Sequence, residues 1–233
     1  MSIVEEPGPA FDPQQIRRGG YGLMAVSLAV AIAALFERSS LLAAADIALA
    51  VACVGVTLWM PELFEVTTRS RSRGLNPLFI LPATLVCYAG VTNDFVSFNP
   101  LLIAAGIGGA TLAAAGVFTG RRPGVAGRRQ YVFMLGLAGV VLGCGVPALV
   151  DVRFDDSSAQ AFRASVNSMY VNQNRSSSYH LRLGPWGPVG ADSVTDPLSL
   201  YDQFNPGDQA CISLHTGALA IPWFSVRACS GPA

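Results

Sequence analysis

The chain of 233 residues offers few side chains for chemistry. It has two histidines, His180 and His215, and five cysteines, at 53, 87, 144, 211 and 229. His180, His215 and an acid such as Asp208 are the donor types that a zinc ion takes. No HExxH, CxxC, phosphate-loop or GxSxG pattern accompanies them, so both histidines read as solvated strand residues. No nucleophile–base pair can be named, and no catalytic residue, metal or cofactor is expected. Asp46 stands apart as the one ionisable residue well inside an apolar run, LLAAADIALAVACVGVTLWM. An acid in that setting is a candidate ion or proton site, which makes Asp46 the candidate transport residue.

The elements that must hold these residues fall into two kinds, divided near position 150. With 52% hydrophobic and 13% charged residues and a mean hydropathy of +0.45, the chain is too apolar and too sparsely charged for an ordinary water-soluble domain. The apolar residues concentrate in five stretches: Tyr21–Phe36, Leu41–Met60, Leu75–Val91, Leu101–Phe118 and Tyr131–Val150. Each approaches the roughly 20 residues that cross a bilayer, and in lipid such a stretch has to be helical to pair its backbone groups. Pro61 closes the second stretch, Pro82 predicts a kink in the third, and Pro100 suits the first turn of the fourth. The predicted fold is therefore a membrane α-helical bundle of five transmembrane helices followed by a small, mostly antiparallel β domain.

Arginine placement orients this bundle. Arg17 and Arg18 precede the first stretch, Arg69, Arg71 and Arg73 lie between the second and third, and Arg121, Arg122, Arg128 and Arg129 lie between the fourth and fifth. The alternate connections hold one arginine, Arg38, between them. The positive-inside rule then puts the N-terminus in the cytoplasm and, after five crossings, the C-terminal domain outside. The expected divisions are a cytoplasmic tail over 1–20, a five-helix transmembrane domain over 21–150 and a periplasmic β-rich domain over 151–233. The acidic, Pro-rich start MSIVEEPGPAFDPQQ is the wrong character for the basic region of a signal peptide. A net charge of zero gives no case for nucleic acid as a partner. The expected partners are the lipid bilayer and other membrane subunits.

Small residues recur at helical spacings in the last two stretches. Ala105 with Gly109, Gly106 with Ala110, and Gly136, Gly139 and Gly143 define faces on which helices approach closely, within the bundle or onto a partner.

The C-terminal 83 residues alternate apolar and polar positions between turns. Ala161–Val171 and Tyr179–Leu183 read as strands, although Met169 and Val171 break the first pattern. Leu198–Phe204 reads as a short helix and Pro206–Gly207–Asp208 as a tight turn. Cys211–His215 and Trp223–Cys229 read as a hairpin around a Gly-bearing loop. Pairing Cys211 with Cys229 sets Ser213 opposite Arg227 and His215 opposite Ser225. Ile212, Leu214, Phe224 and Val226 then share the other face. A disulfide between those cysteines needs an oxidising compartment, where the arginines place this domain. Leu219, Ile221, Pro222 and Trp223, at the hairpin tip, are candidates for contact with a partner or the membrane surface.

The run LYDQFNPGDQACISLHTGALAIPWFSVRAC, Leu200–Cys229, resembles the C-terminal signature of uncharacterised bacterial inner-membrane proteins. These share an LY…F.PGD turn, a GAL.IPW segment and a closing Cys after several transmembrane helices. The resemblance covers roughly the last 35 residues and implies architecture and an inner-membrane location, with no activity to carry over. The expected function is thus a non-catalytic membrane subunit or scaffold presenting a periplasmic β domain. The alternative is a small transporter or channel around Asp46.

Overall fold

A computed structural model describes residues 40–59, 94–121, 128–173, 177–196 and 198–229, together with the single positions Ala29 and Leu85. The chain divides into two compact units. One takes in Met1–Tyr88 and Leu101–Leu149, the other Ala89–Pro100 and Val150–Ala233.

Among its described residues the first unit contains most of three long helices, α1 (Ser40–Trp59), α2 (Asn99–Thr119) and α3 (Arg128–Arg153). At about 1.5 Å of rise per residue each reaches roughly 30 Å or more. All three are long and apolar enough to cross a membrane. They cover the second, fourth and fifth predicted stretches; the first and third lie outside the described residues except for Ala29 and Leu85, both helical. Leu102, Ile103, Ile107 and Phe118 of α2 and Phe133 of α3 are exposed. Large apolar side chains on the outside are what a helix presents to lipid, and the reverse of a helix in water.

Inside this unit α2 and α3 meet backbone to backbone. A Cβ on Gly139 would run into the main chain of Gly108 and Gly109, and one on Gly143 into the main chain of Ala104 and Ala105. Only residues without a side chain permit that approach of two main chains. The Tyr131 hydroxyl links all three helices. It donates to the Thr57 carbonyl of α1 at 3.0 Å and lies 3.3 Å from the Thr119 hydroxyl of α2. Tyr131 is fully buried, so these bonds satisfy a hydroxyl that has no water to turn to.

The described residues of the second unit form one six-stranded antiparallel sheet, barrel-like, in the order β1-β6-β5-β2-β3-β4. Its strands are β1 (Asp94–Phe95), β2 (Gln160–Gln173), β3 (Ser177–Leu183), β4 (Asp192–Asp196), β5 (Gln209–His215) and β6 (Trp223–Ala228). A short helix α4 (Leu198–Tyr201) precedes β5. Phe162, Ala164 and Val166 of β2 face a core completed by Leu181, Leu183, Trp186, Val194, Ile212 and Phe224. Between Val166 and Ser168 the pairing with β3 slips by one residue, a β-bulge. A bulge reverses which parity faces inward. Met169 therefore packs on the core and Tyr170 is exposed, which accounts for the broken alternation in this strand.

The β5–β6 register is two residues off the predicted one. Cys211 lies opposite Arg227, Ser213 opposite Ser225 and His215 opposite Trp223. A shift by two preserves the faces, so Ile212, Leu214, Phe224 and Val226 still share one side. The Cys211–Cys229 disulfide forms across the diagonal, with Cα atoms 5.1 Å apart. The segment before α2, which reads as a helix-connecting loop, supplies the edge strand β1, pairing Asp94 with Phe224 and Phe95 with Trp223.

Candidate functional site

Among the described residues of the second unit, a polar constellation surrounds the loop between β5 and β6, residues 216–222. Its backbone turns sharply at Gly217 (φ +79°) and Ala220 (φ +58°), so it cannot pair its own N–H groups across a ladder. The chain just after the apolar part of α3, DVRFDDS, meets this demand. Thr216 N–H donates to Ser157 Oγ at 3.3 Å and Gly217 N–H to Asp155 Oδ2 at 3.2 Å. Ala218 N–H donates to the Asp151 carbonyl at 3.1 Å. Leu219 N–H and Ile221 N–H both donate to Asp151 Oδ1, at 2.7 and 3.3 Å. Ala220 N–H closes a turn on the Gly217 carbonyl, and Pro222 has no N–H to place. Every amide of the loop is thereby satisfied.

Asp151 sits in the last turn of α3, where a carboxyl faces the negative end of the helix dipole. The donated amides offset that cost. Asp151 is fully buried, and its Oδ2 has no hydrogen-bond partner among the described residues. A Cβ at Gly217 would collide with both oxygens of this carboxyl, so the loop closes over Asp151 only with glycine there.

Asp155 lies four residues on, just past the end of α3. Its Oδ2 also accepts from Trp223 Nε1 at 3.0 Å, and Oδ1 accepts from Ser157 N–H at 2.8 Å. Burial by itself would raise this carboxyl; the hydrogen bonds from Ser157, Trp223 and Gly217 outweigh it and hold the group below its ordinary value. His215 Nδ1 stands 3.7 Å away, and the His215 ring stacks on Trp223 with centroids 4.0 Å apart and planes 3° from parallel. The Asp155 side chain is only 2% exposed. These two carboxyls are spent on backbone amides and an indole, and what they do is clamp the loop.

The residues singled out from sequence fall in several places. His180 stacks on Tyr170 at 4.8 Å and bonds Ser178, Asp208 accepts from Asn205 N–H in the PGD turn, and His215 belongs to the clamp. Among the described residues no group of three or more His, Cys, Asp or Glu is placed to hold a metal ion. Ile221 and Trp223 are buried, whereas Leu219 and Pro222 of the same loop are exposed. Ala105, Gly109, Gly136, Gly139 and Gly143 lie in or beside the α2–α3 contact. Gly106 and Ala110 are on the exposed side of α2, and a Cβ at Gly106 would meet nothing. Asp46 is 1% exposed, and its Oδ1 has no hydrogen-bond partner among the described residues.

Asp151 and Asp155 are not among the residues that motif or periodicity marks out. The signal is a pair of acids four residues apart just after the last apolar stretch, of which only Asp151 lies within α3. No family model, curated protein or solved structure matches the chain.

Proposed function

We propose that this protein is a non-catalytic integral membrane subunit or scaffold of a bacterial inner-membrane assembly, presenting its β unit to a partner in the periplasm. The observation that carries this reading is the use of two buried carboxyls, Asp151 and Asp155, with Trp223, as a clamp on the unit's own loop. The apolar outer faces of α2 and α3 support a bilayer as their solvent. The disulfide supports an oxidising compartment for the β unit. Nine arginines in alternate connections against one in the others support five crossings with the N-terminus in the cytoplasm. The resemblance of Leu200–Cys229 to uncharacterised inner-membrane proteins points to the same membrane.

The test is mass spectrometry of the protein extracted with its native neighbours and without reductant. Stoichiometric membrane subunits alongside the chain are expected. A solitary protein carrying a bound solute would overturn the scaffold reading in favour of transport.

One observation favours that second reading: a buried acid, Asp46, in a helix long and apolar enough to span a membrane. Under it, Asp46→Asn abolishes a measurable solute or proton flux in reconstituted vesicles. An unchanged flux would remove Asp46 from the mechanism.

A further inference from the structure

The clamp does more than close a loop, because three chain segments of the second unit are tied at one junction. The last turn of α3 holds the loop through Asp151. The loop holds the segment before α2, since Val96 N–H donates to the Pro222 carbonyl at 2.9 Å and β1 pairs with the start of β6. Each segment carries one large apolar side chain that stays largely exposed, although the Phe98 ring also meets the buried Phe95 edge-on with centroids 5.8 Å apart. Phe98, 56% exposed, immediately precedes α2; Phe154, 43% exposed, immediately follows α3; Leu219, 49% exposed, is the residue whose amide is bonded to Asp151.

We infer that Phe98, Phe154 and Leu219 form a collar that inserts into the interfacial layer of the bilayer where the chain leaves it, so that the partner of this surface is lipid. The inference rests on the membrane reading of α2 and α3. Two of the three residues are the first positions beyond helices long and apolar enough to span. Aromatic and apolar side chains at that level belong to the boundary between hydrocarbon and headgroups. Leu219 lies far from either helix in sequence, and the Asp151 clamp fixes its loop to the last turn of α3. The loop thus acts as a shallow anchor, and the energetic reason for burying an acid at a helix end is to hold that anchor down.

Photocrosslinking tests this in the intact protein. p-Benzoylphenylalanine is placed singly at positions 98, 154 and 219, and the protein is reconstituted in phosphatidylcholine vesicles and irradiated. Position 107 on the exposed side of α2 serves as the hydrocarbon reference. Position 170, an exposed ring on β2, serves as the reference for the sheet away from the junction. Lipid adducts at 98, 154, 219 and 107 with none at 170 are expected. Adducts at 107 but not at the three collar positions would overturn the collar while leaving the membrane reading standing. No adduct at 107 either would refute the membrane reading and the collar with it. In native membranes, crosslinks from the collar to another polypeptide instead of lipid would overturn the assignment of lipid as the partner. Asp151→Ala provides the second measurement: the adduct at 219 is lost while those at 98 and 154 persist. An unchanged yield at 219 would refute the clamp as its positioning device.

Discussion

Replacing Asp151 by alanine gives the sharpest test of how the β5–β6 loop is held. The substitution strands two amides, Leu219 N–H at 2.7 Å and Ile221 N–H at 3.3 Å, beside a fully buried position. A buried donor left without an acceptor costs about 1–3 kcal/mol. Taking the middle of that range for the short bond to Leu219 and the bottom for the long bond to Ile221, the loss is about 3 kcal/mol. Since about 1.4 kcal/mol is tenfold in an equilibrium constant, the loop opens roughly a hundred times more often. Asp151→Asn retains one carbonyl oxygen for the same two amides, and its amide nitrogen takes the place of Oδ2, which has no described partner to lose. Its cost is held to about 1 kcal/mol. Hydrogen exchange read by mass spectrometry on peptides spanning 216–222, in detergent-solubilised full-length protein, separates the two variants. The alanine variant loses about two decades of protection in this segment, the asparagine variant less than one, and β3 keeps its protection in both. Equal protection in wild type and alanine variant would refute the clamp. Equal loss in both variants would show that charge, and not the count of acceptors, holds the loop.

Other outcomes follow from the same geometry. Gly139→Ala and Gly143→Ala force methyl groups into the main chain of α2 and lower stability in detergent by at least about 1–3 kcal/mol, whereas Gly106→Ala stays within about 0.5 kcal/mol; thermal unfolding checks all three. Asp155 has a folded-state pKa below its unfolded one, so its contribution is complete above about pH 4, the unfolded value, and is lost as pH falls from there through the folded value. Acid titration of Asp155→Asn, followed by fluorescence, therefore shows a weaker pH dependence below about pH 4 than wild type, and superimposable curves would contradict this. Exchanging both Cys211 and Cys229 for serine opens a cross-link between residues 18 apart in sequence and costs the β unit about 3 kcal/mol. Urea unfolding with and without reductant should then differ for wild type and coincide for the double variant.

What could be read from sequence followed from local patterns. The disulfide and the two faces of the β5–β6 hairpin came from alternation, and alternation survives a register error of two. The register itself did not, because the loop is shaped by Asp151 and Asp155, more than fifty residues upstream, and loop chemistry alone could not anticipate acceptors from a helix end. The broken pattern at Met169 and Val171 was a legible trace of the bulge, though periodicity does not say where the extra residue sits. Strand β1 was illegible: two residues, Asp94 and Phe95, carry no period, and their pairing with β6 is purely tertiary. Within α2 glycine and alanine lie on every side, so composition marked a close approach without saying which side makes it. Gly108 is in the contact and Gly106 is not.

The small strand β1 bears on how the protein is made. Asp94 and Phe95 leave the ribosome long before their partners Trp223 and Phe224 exist. Between the two events the chain has to complete α2 and α3. The sheet therefore cannot reach its final edge during synthesis of its own contiguous stretch, and must wait with β1 parked beside the start of α2. Until then β6, once formed, has an open side able to pair with a neighbouring chain. Expressing the C-terminal stretch alone would make that open side permanent. Supplying 89–100 as a separate peptide would offer the missing strand back.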